Sequence, residues 1–214
     1  MESRQLSRQE AIQYWDDRHR QEGELRSGGH IGWDGPANEA FYVRRSALLL
    51  HVIGDWVGAS DPIFALDAGC GKGEFARVLM RCGVVVDGID SSPEAIAFCQ
   101  RNGGGRFVVS TLADFRNPFL YDVVFAMDVL FHILDDDDWA ASVRNLASLV
   151  RLAGKLVITD EGGDTRRAAG NYIMHRPPAA YVRTLEPLGF TFDSFTPYDF
   201  RDNAVGLLTF VRAR

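Results

Sequence analysis

Three glycines at alternate positions, Gly69, Gly71 and Gly73, follow the acid Asp67 and the short apolar run of residues 63–66. Glycine has no Cβ and adopts left-handed dihedrals at little cost, so such a turn bends sharply and lets a ligand lie directly on its backbone. A second acid, Asp90, closes the apolar run of residues 84–89. A carboxylate at the end of a second strand is where nucleotide-binding α/β folds take up ribose hydroxyls. The glycine spacing is not that of a dinucleotide fingerprint, because the third glycine of G-x-G-x-x-G would fall on Glu74. A phosphate-binding G-x-x-x-x-G-K-[ST] is also absent from the chain. Glu74, at the start of the following helix, would further compete with a pyrophosphate for the same helix N-terminus.

Histidine is the side chain best matched to proton transfer near neutral pH. His132 and His175 fall on stretches expected to border a cleft, whereas His19, His30 and His51 lie in the leading segment. The acids Asp160 and Glu161 close a later apolar run, and Arg176 beside His175 is suited to orienting an anionic or polyhydroxylated molecule. His132 is followed by Asp135, Asp136, Asp137 and Asp138. Consecutive carboxylates at this place read as the charged first turn of a helix rather than as metal ligands, so no metal is expected.

The elements that must hold these groups follow from periodicity. Ser7 and Glu10 form a capping box opening a helix to about Gln21, and residues 23–37, with five glycines and Pro36, read as a surface loop. Asn38 is expected to cap a long helix through Trp56. Residues 63–66 then form a first strand, with a helix after the glycine turn marked by Phe75, Val78 and Leu79. Residues 84–90 form a second strand, Ser92 caps the next helix, residues 106–109 form a third strand, and a fourth opens at Tyr121. Residues 152–161 supply a turn and a fifth strand, and residues 162–178 read as a long functional loop. A helix through Tyr181 and Leu188 and two alternating strands, residues 190–195 and 205–211, complete the chain.

The run Leu66-Asp67-Ala68-Gly69-Cys70-Gly71-Lys72-Gly73 resembles the first motif of class I S-adenosylmethionine-dependent methyltransferases. Asp87-Gly88-Ile89-Asp90-Ser91-Ser92 resembles their second motif, and the stretch from Tyr121-Asp122 to Ile133 resembles their fourth. The resemblance implies a three-layer α-β-α Rossmann-like fold with a seven-stranded, mostly parallel sheet and an antiparallel C-terminal hairpin. It further implies S-adenosylmethionine as cofactor, with Asp67, Gly69, Cys70, Gly71, Asp90, Ser91, Met127 and Trp15 at its site. Family members often carry an acid directly after the third strand for the adenine amino group. Thr111 stands there in this chain, so the contact passes to Asp114 or to the backbone around Thr111 and Leu112.

Residues 1–60 are expected to form a helical lid, with Tyr14, Trp15, Arg18, Trp33 and Tyr42 as covering residues, over a cofactor-binding domain of residues 61–214. The fourth motif lacks the paired prolines usual in enzymes that methylate base or amide nitrogens, which favours a hydroxyl acceptor with His132 as base and His175 next. Other readings are a nicotinamide-dependent oxidoreductase, disfavoured by Glu74 and the long leading segment, and a cofactor-binding module without turnover.

At 214 residues and 46% hydrophobic, the chain suffices for one well-cored α/β domain. A net charge of −6 leaves no basic face for nucleic acid or an anionic membrane, which points to a small-molecule acceptor. Cys70, Cys82 and Cys99 are odd in number and contain no C-x-x-C pair, which favours reduced thiols and a cytoplasmic setting.

Overall fold

The structure is a computed structural model that describes residues 4–58 and 61–213. The expected boundary between lid and domain, at residue 60, therefore lies outside the described residues.

Helix α1 (Arg8–Gln21) opens with the expected capping box, in which Ser7 accepts from the Glu10 amide and Glu10 accepts from the Ser7 amide. Residues 23–34 are not all loop: a single-turn helix α2 (Glu24–Ser27) interrupts them. The long helix α3 (Gly35–Ile53) starts earlier than its sequence suggests, because Asp34, and not Asn38, accepts the Ala37 amide as the cap. Asn38 is instead buried inside the first turns, where its amide donates to the carbonyls of His30, Trp33 and Asp34 and accepts the His30 amide. An Asn so engaged pins the preceding loop, which is why it mimics a cap in sequence.

The glycine region folds as β1 (Phe64–Ala68), a tight turn and α4 (Glu74–Arg81), with all three glycines left-handed at φ of 82°, 50° and 79°. The chain continues through β2 (Val85–Asp90), α5 (Pro93–Asn102), β3 (Arg106–Val109), β4 (Tyr121–Ala126) and α6 (Asp136–Ser148), with Asp135 as cap of the last. Next come β5 (Val150–Glu161), β6 (Arg167–Ala169), β7 (Ile173–His175), α7 (Pro178–Leu185), β8 (Phe190–Pro197) and β9 (Val205–Arg212).

Seven strands form one sheet in the order β3-β2-β1-β4-β5-β9-β8, parallel except for β9, which runs antiparallel to both β5 and β8. Order reverses between β1 and β4, and open α/β sheets bind ligands at such a switch point, beyond the carboxyl ends of the strands. The second departure from expectation is also local: β6 and β7 pair as a short antiparallel hairpin within residues 162–178. Its turn, around Tyr172, is held against α1, where the Tyr172 ring lies 5.5 Å from that of Tyr14.

Two apolar layers fill the faces of the sheet. One gathers Phe41, Leu49 and Ile53 of α3 with Phe75 and Leu79 of α4. The other gathers Trp139, Val143 and Leu146 of α6 with Tyr181 and Leu185 of α7. The first layer matters for the site, because it seats the leading helices on the sheet. No described helix is long and apolar enough to cross a membrane.

Candidate cofactor and acceptor cleft

A cavity of about 1640 Å³ opens over the carboxyl ends of β1, β2 and β4 and is roofed by α1 and the loop after it. Drug-sized ligands occupy pockets of roughly 300–1,000 Å³, so this one has room for two molecules side by side. Its walls bring together Trp15, Gly69, Cys70, Gly71, Asp90, Ser91, Thr111, Leu112, Met127, His132 and His175 of the residues singled out in the sequence. Two expected residues are not in its walls, Asp67 and Asp114. Asp67 is buried beneath the turn, and Asp114 stands exposed at the rim, accepting from the Thr111 hydroxyl at 2.6 Å and from Arg8 at 3.0 Å.

The turn is shaped for close approach. A Cβ on Gly69 would stand 2.4 Å from Val129 Cγ2, and one on Gly71 would stand 3.2 Å from His19 Cε1. Both positions also have left-handed backbones that favour glycine. The Gly71 amide donates to Asp90 Oδ2 and the Ser92 amide to Asp90 Oδ1, each at 2.9 Å, so Asp90 fixes the turn while its carboxylate faces the cavity.

Asp67 keeps one carboxyl oxygen, Oδ2, buried and without a hydrogen-bond partner. Burial, with the like charge of Asp90 second, pushes its pKa up to about 8. A ligand that carries a positive charge, reached directly or through a water, would compensate the ionised form of this carboxyl, which burial otherwise opposes. These features fit the amino-acid end of the cofactor that the motif implies.

His132 follows β4 on a single turn of tighter helix, between Trp15, whose ring is 4.6 Å away edge-on, and Tyr172, stacked at 5.6 Å. Its Nδ1 lies 2.9 Å from the Tyr172 carbonyl. A carbonyl only accepts, so Nδ1 carries the proton and Nε2 is left with its lone pair. Burial lowers its pKa to about 4, with help from the Arg18 charge. His132 is thus neutral at physiological pH and available as an acceptor.

His175 is placed differently. Its Nδ1 lies 2.7 Å from Asp160 Oδ1 and its Nε2 3.5 Å from Glu161 Oε1. Asp160 also accepts from the Tyr181 hydroxyl at 2.6 Å and from the Arg176 amide at 3.1 Å. Both ring nitrogens face carboxylates, which spends His175 on a buried network joining β5, β7 and α7. Arg176, too, turns inward, donating to Asp136 and to the Ile133 and Leu134 carbonyls.

Sequence reasoning missed two contributors. His19, from α1, is buried on the glycine turn, and only its one-turn offset from Trp15 hinted at a shared inner face. Asp128 sits at φ 57° directly after β4, held by an ion pair with the buried Arg45 and by the Tyr198 hydroxyl at 2.8 Å. The Arg45 guanidinium is itself stacked 3.9 Å from Phe41 and 4.2 Å from Tyr42. A lone arginine in an apolar helix gave no such signal.

Residues 65–154 match the family model described as a methyltransferase domain. Among curated relatives, the ubiquinone biosynthesis O-methyltransferase of Ralstonia nicotianae is 28% identical over 145 residues, covering 63% of this chain and 58% of that protein. That of Methylocella silvestris is 36% identical over 95 residues, 42% of this chain and 36% of the relative. The chain thus spans little more than half of the first of these relatives. A Synechocystis magnesium protoporphyrin IX methyltransferase solved with bound SAH superposes with a TM-score of 0.74 at 21% identity, covering 96% of this chain and all of that one. A Burkholderia thailandensis 1,6-didemethyltoxoflavin-N1-methyltransferase superposes at 0.68 and 21% identity, covering 100% and 94%. Those likenesses show a Rossmann-like methyltransferase fold, and the stretch of the chain that carries the motifs, residues 65–154, matches a methyltransferase domain.

Proposed function

We propose that the protein transfers a methyl group from S-adenosylmethionine to a hydroxyl oxygen of a small-molecule acceptor. The observation that carries this reading is the unpartnered Asp67 oxygen beneath a left-handed glycine turn that opens, beside Asp90, into a cavity sized for two ligands. Asp90 and Ser91 would receive the ribose, the backbone and side chains of Thr111 and Leu112 the adenine, and Asp67 with residues 69–71 the amino-acid end. When bound, the sulfonium supplies an electrophilic methyl that needs no further covalent activation.

The chain's own residues then have three tasks. Trp15, Met127 and the glycine turn exclude water and hold the two reactants in line, which supports reaction by position alone. Asp128, fixed by Arg45 and Tyr198, sets the path of the backbone that follows β4. His132, with Nδ1 pinned to the Tyr172 carbonyl, presents Nε2 to take the proton of the acceptor hydroxyl. The names of the curated relatives, O-methyltransferases of ubiquinone biosynthesis, agree with oxygen as the acceptor atom.

Incubation with S-adenosylmethionine labelled on its methyl group and a panel of phenols, aliphatic alcohols and amines tests the reading. Label is expected in methyl ethers and S-adenosylhomocysteine is expected to accumulate in step. Label confined to amines would move the reaction to nitrogen.

A further inference from the structure

Three arginines are buried among the described residues, and two of them are neutralised inside the protein: Arg45, 1% exposed, pairs with Asp128, and Arg176, 3% exposed, pairs with Asp136. Arg18, on α1, is the exception. It is 7% exposed, it lines the cavity, and no carboxylate of the described residues lies within ion-pair distance of it. Its Nη2 donates only to the Arg26 and Gly29 carbonyls, at 3.0 and 2.6 Å, and its Nε is buried with no partner. Carbonyl dipoles hold a guanidinium in place but leave its charge uncancelled, and a buried charge without a counter-charge is costly.

Where that charge points is set by the helix. Consecutive residues on α1 are turned by about 100°, and the next residue, His19, is the one on the glycine turn. Arg18 is also a neighbour of Trp15, three residues back, and its guanidinium carbon lies 5.0 Å from the Trp15 ring centre. Trp15 in turn touches His132 at 4.6 Å. The Arg18 charge also helps hold His132, His30 and His19, all in the cavity wall, below the usual imidazole range, after burial. Of the other lysines and arginines of that wall, Arg8, Arg45, Arg166 and Arg167 are paired with carboxylates, Lys72 is only half-buried and donates to the Glu22 carbonyl, and Arg201 is exposed.

We infer that Arg18 is the receptor for a carboxylate of a ligand bound in this cavity, so that the roof helix completes its charge balance only when the site is filled. The inference rests on the methyl-transfer reading. A carboxylate reaches this place from one of two molecules, the amino-acid end of the methyl donor or the acceptor itself. Arg suits either, since its planar donors match carboxylate geometry.

The test compares the wild type with R18M, which keeps the length without the charge, and R18K, which keeps the charge without the planar fork. In one arm, S-adenosylhomocysteine and 5′-methylthioadenosine, which lacks the amino-acid end, are titrated by calorimetry. In the other, the S-adenosylhomocysteine complex is challenged with the three hydroxybenzoates and the matching hydroxybenzamides, and the shift in melting temperature is read. If the donor supplies the carboxylate, R18M binds S-adenosylhomocysteine at least tenfold more weakly, R18K recovers part of the loss, and 5′-methylthioadenosine binds all three proteins alike. If the acceptor supplies it, S-adenosylhomocysteine affinity is unchanged, and a hydroxybenzoate but not its amide stabilises the wild-type complex and fails to stabilise R18M. A change in neither arm overturns the inference, as does an equal loss for both nucleosides. A wild type that binds neither nucleoside overturns the methyl-donor reading, and this one with it.

Discussion

The Asp16 carboxylate accepts the Ser92 hydroxyl at 2.6 Å and the Glu94 amide at 3.1 Å, so a residue of the roof helix α1 caps the helix that follows the second motif. Ser92 at the same time caps α5 through the Ala95 amide. Roof and floor are thereby joined at the residue next but one to Asp90. Burial alone would raise the Asp16 pKa, yet Ser92, Glu94 and Arg20 together hold it below the usual carboxylate range.

Asp16→Ala removes this tie and leaves two buried donors short of an acceptor. The expected result is a loss of about 1–3 kcal/mol in stability and weaker binding of S-adenosylhomocysteine, by denaturant titration and calorimetry. Because the folded pKa is depressed, the wild-type contribution is present above the ordinary carboxylate range and is lost as pH falls through the lowered value. Unchanged affinity in the variant would detach the roof helix from cofactor binding.

Gly71→Val places a branched side chain on a backbone at φ 50°, with its Cβ 3.2 Å from His19. S-adenosylhomocysteine is expected not to bind at concentrations that saturate the wild type, while circular dichroism stays native. Binding at wild-type strength would show that the turn is not the cofactor's seat.

Asp67→Asn separates stability from binding. With a folded pKa of about 8, raised by burial and by Asp90, the wild-type carboxyl is protonated when folded and ionised when unfolded near neutrality. The stability it lends is complete below the ordinary aspartate value and is lost as pH rises through about 8. The variant is therefore expected to melt higher than wild type at pH 9 and to bind S-adenosylmethionine more weakly, with the largest difference above pH 8, where the wild-type carboxyl is ionised. A wild-type melting temperature that does not fall between pH 6 and pH 9 relative to Asp67→Asn contradicts the assignment.

His132→Ala is expected to leave S-adenosylhomocysteine affinity within about twofold and to lower turnover by the roughly 10²–10⁴-fold typical of a lost general base. With a pKa of about 4, His132 imposes no loss of activity as pH falls from 8 to 6. Its depressed pKa also means that the neutral ring favours the fold at neutral pH, an advantage lost as pH falls through the acidic range. An active His132→Ala enzyme would move the base elsewhere in the cleft.

What was legible in the sequence divides along physical lines. The strand–turn–helix around Gly69, the acid at Asp90 and the caps at Ser7 and Ser92 are local patterns, in which residue type and dihedral demand coincide. The sheet and its antiparallel end followed from the family resemblance. Asn38 looks like a cap in sequence, but its hydrogen bonds reach back over the preceding loop, a use that sequence does not distinguish from capping. The β6–β7 hairpin has no sequence signature, because three-residue strands show too few alternations to register. The Arg45–Asp128 pair and the placement of His19 on Gly71 join residues 83 and 52 positions apart, and no local pattern encodes such contacts. The difference between His132 and His175 likewise appears only in three dimensions, in whether a carbonyl or two carboxylates face the ring.

The most direct test of the account is calorimetric titration of the protein with S-adenosylmethionine, S-adenosylhomocysteine and NADH side by side. Saturable one-to-one binding of the first two, with no heat from the third, is the expected result. Binding of NADH in their place would contradict it, because the glycine turn would then serve a dinucleotide.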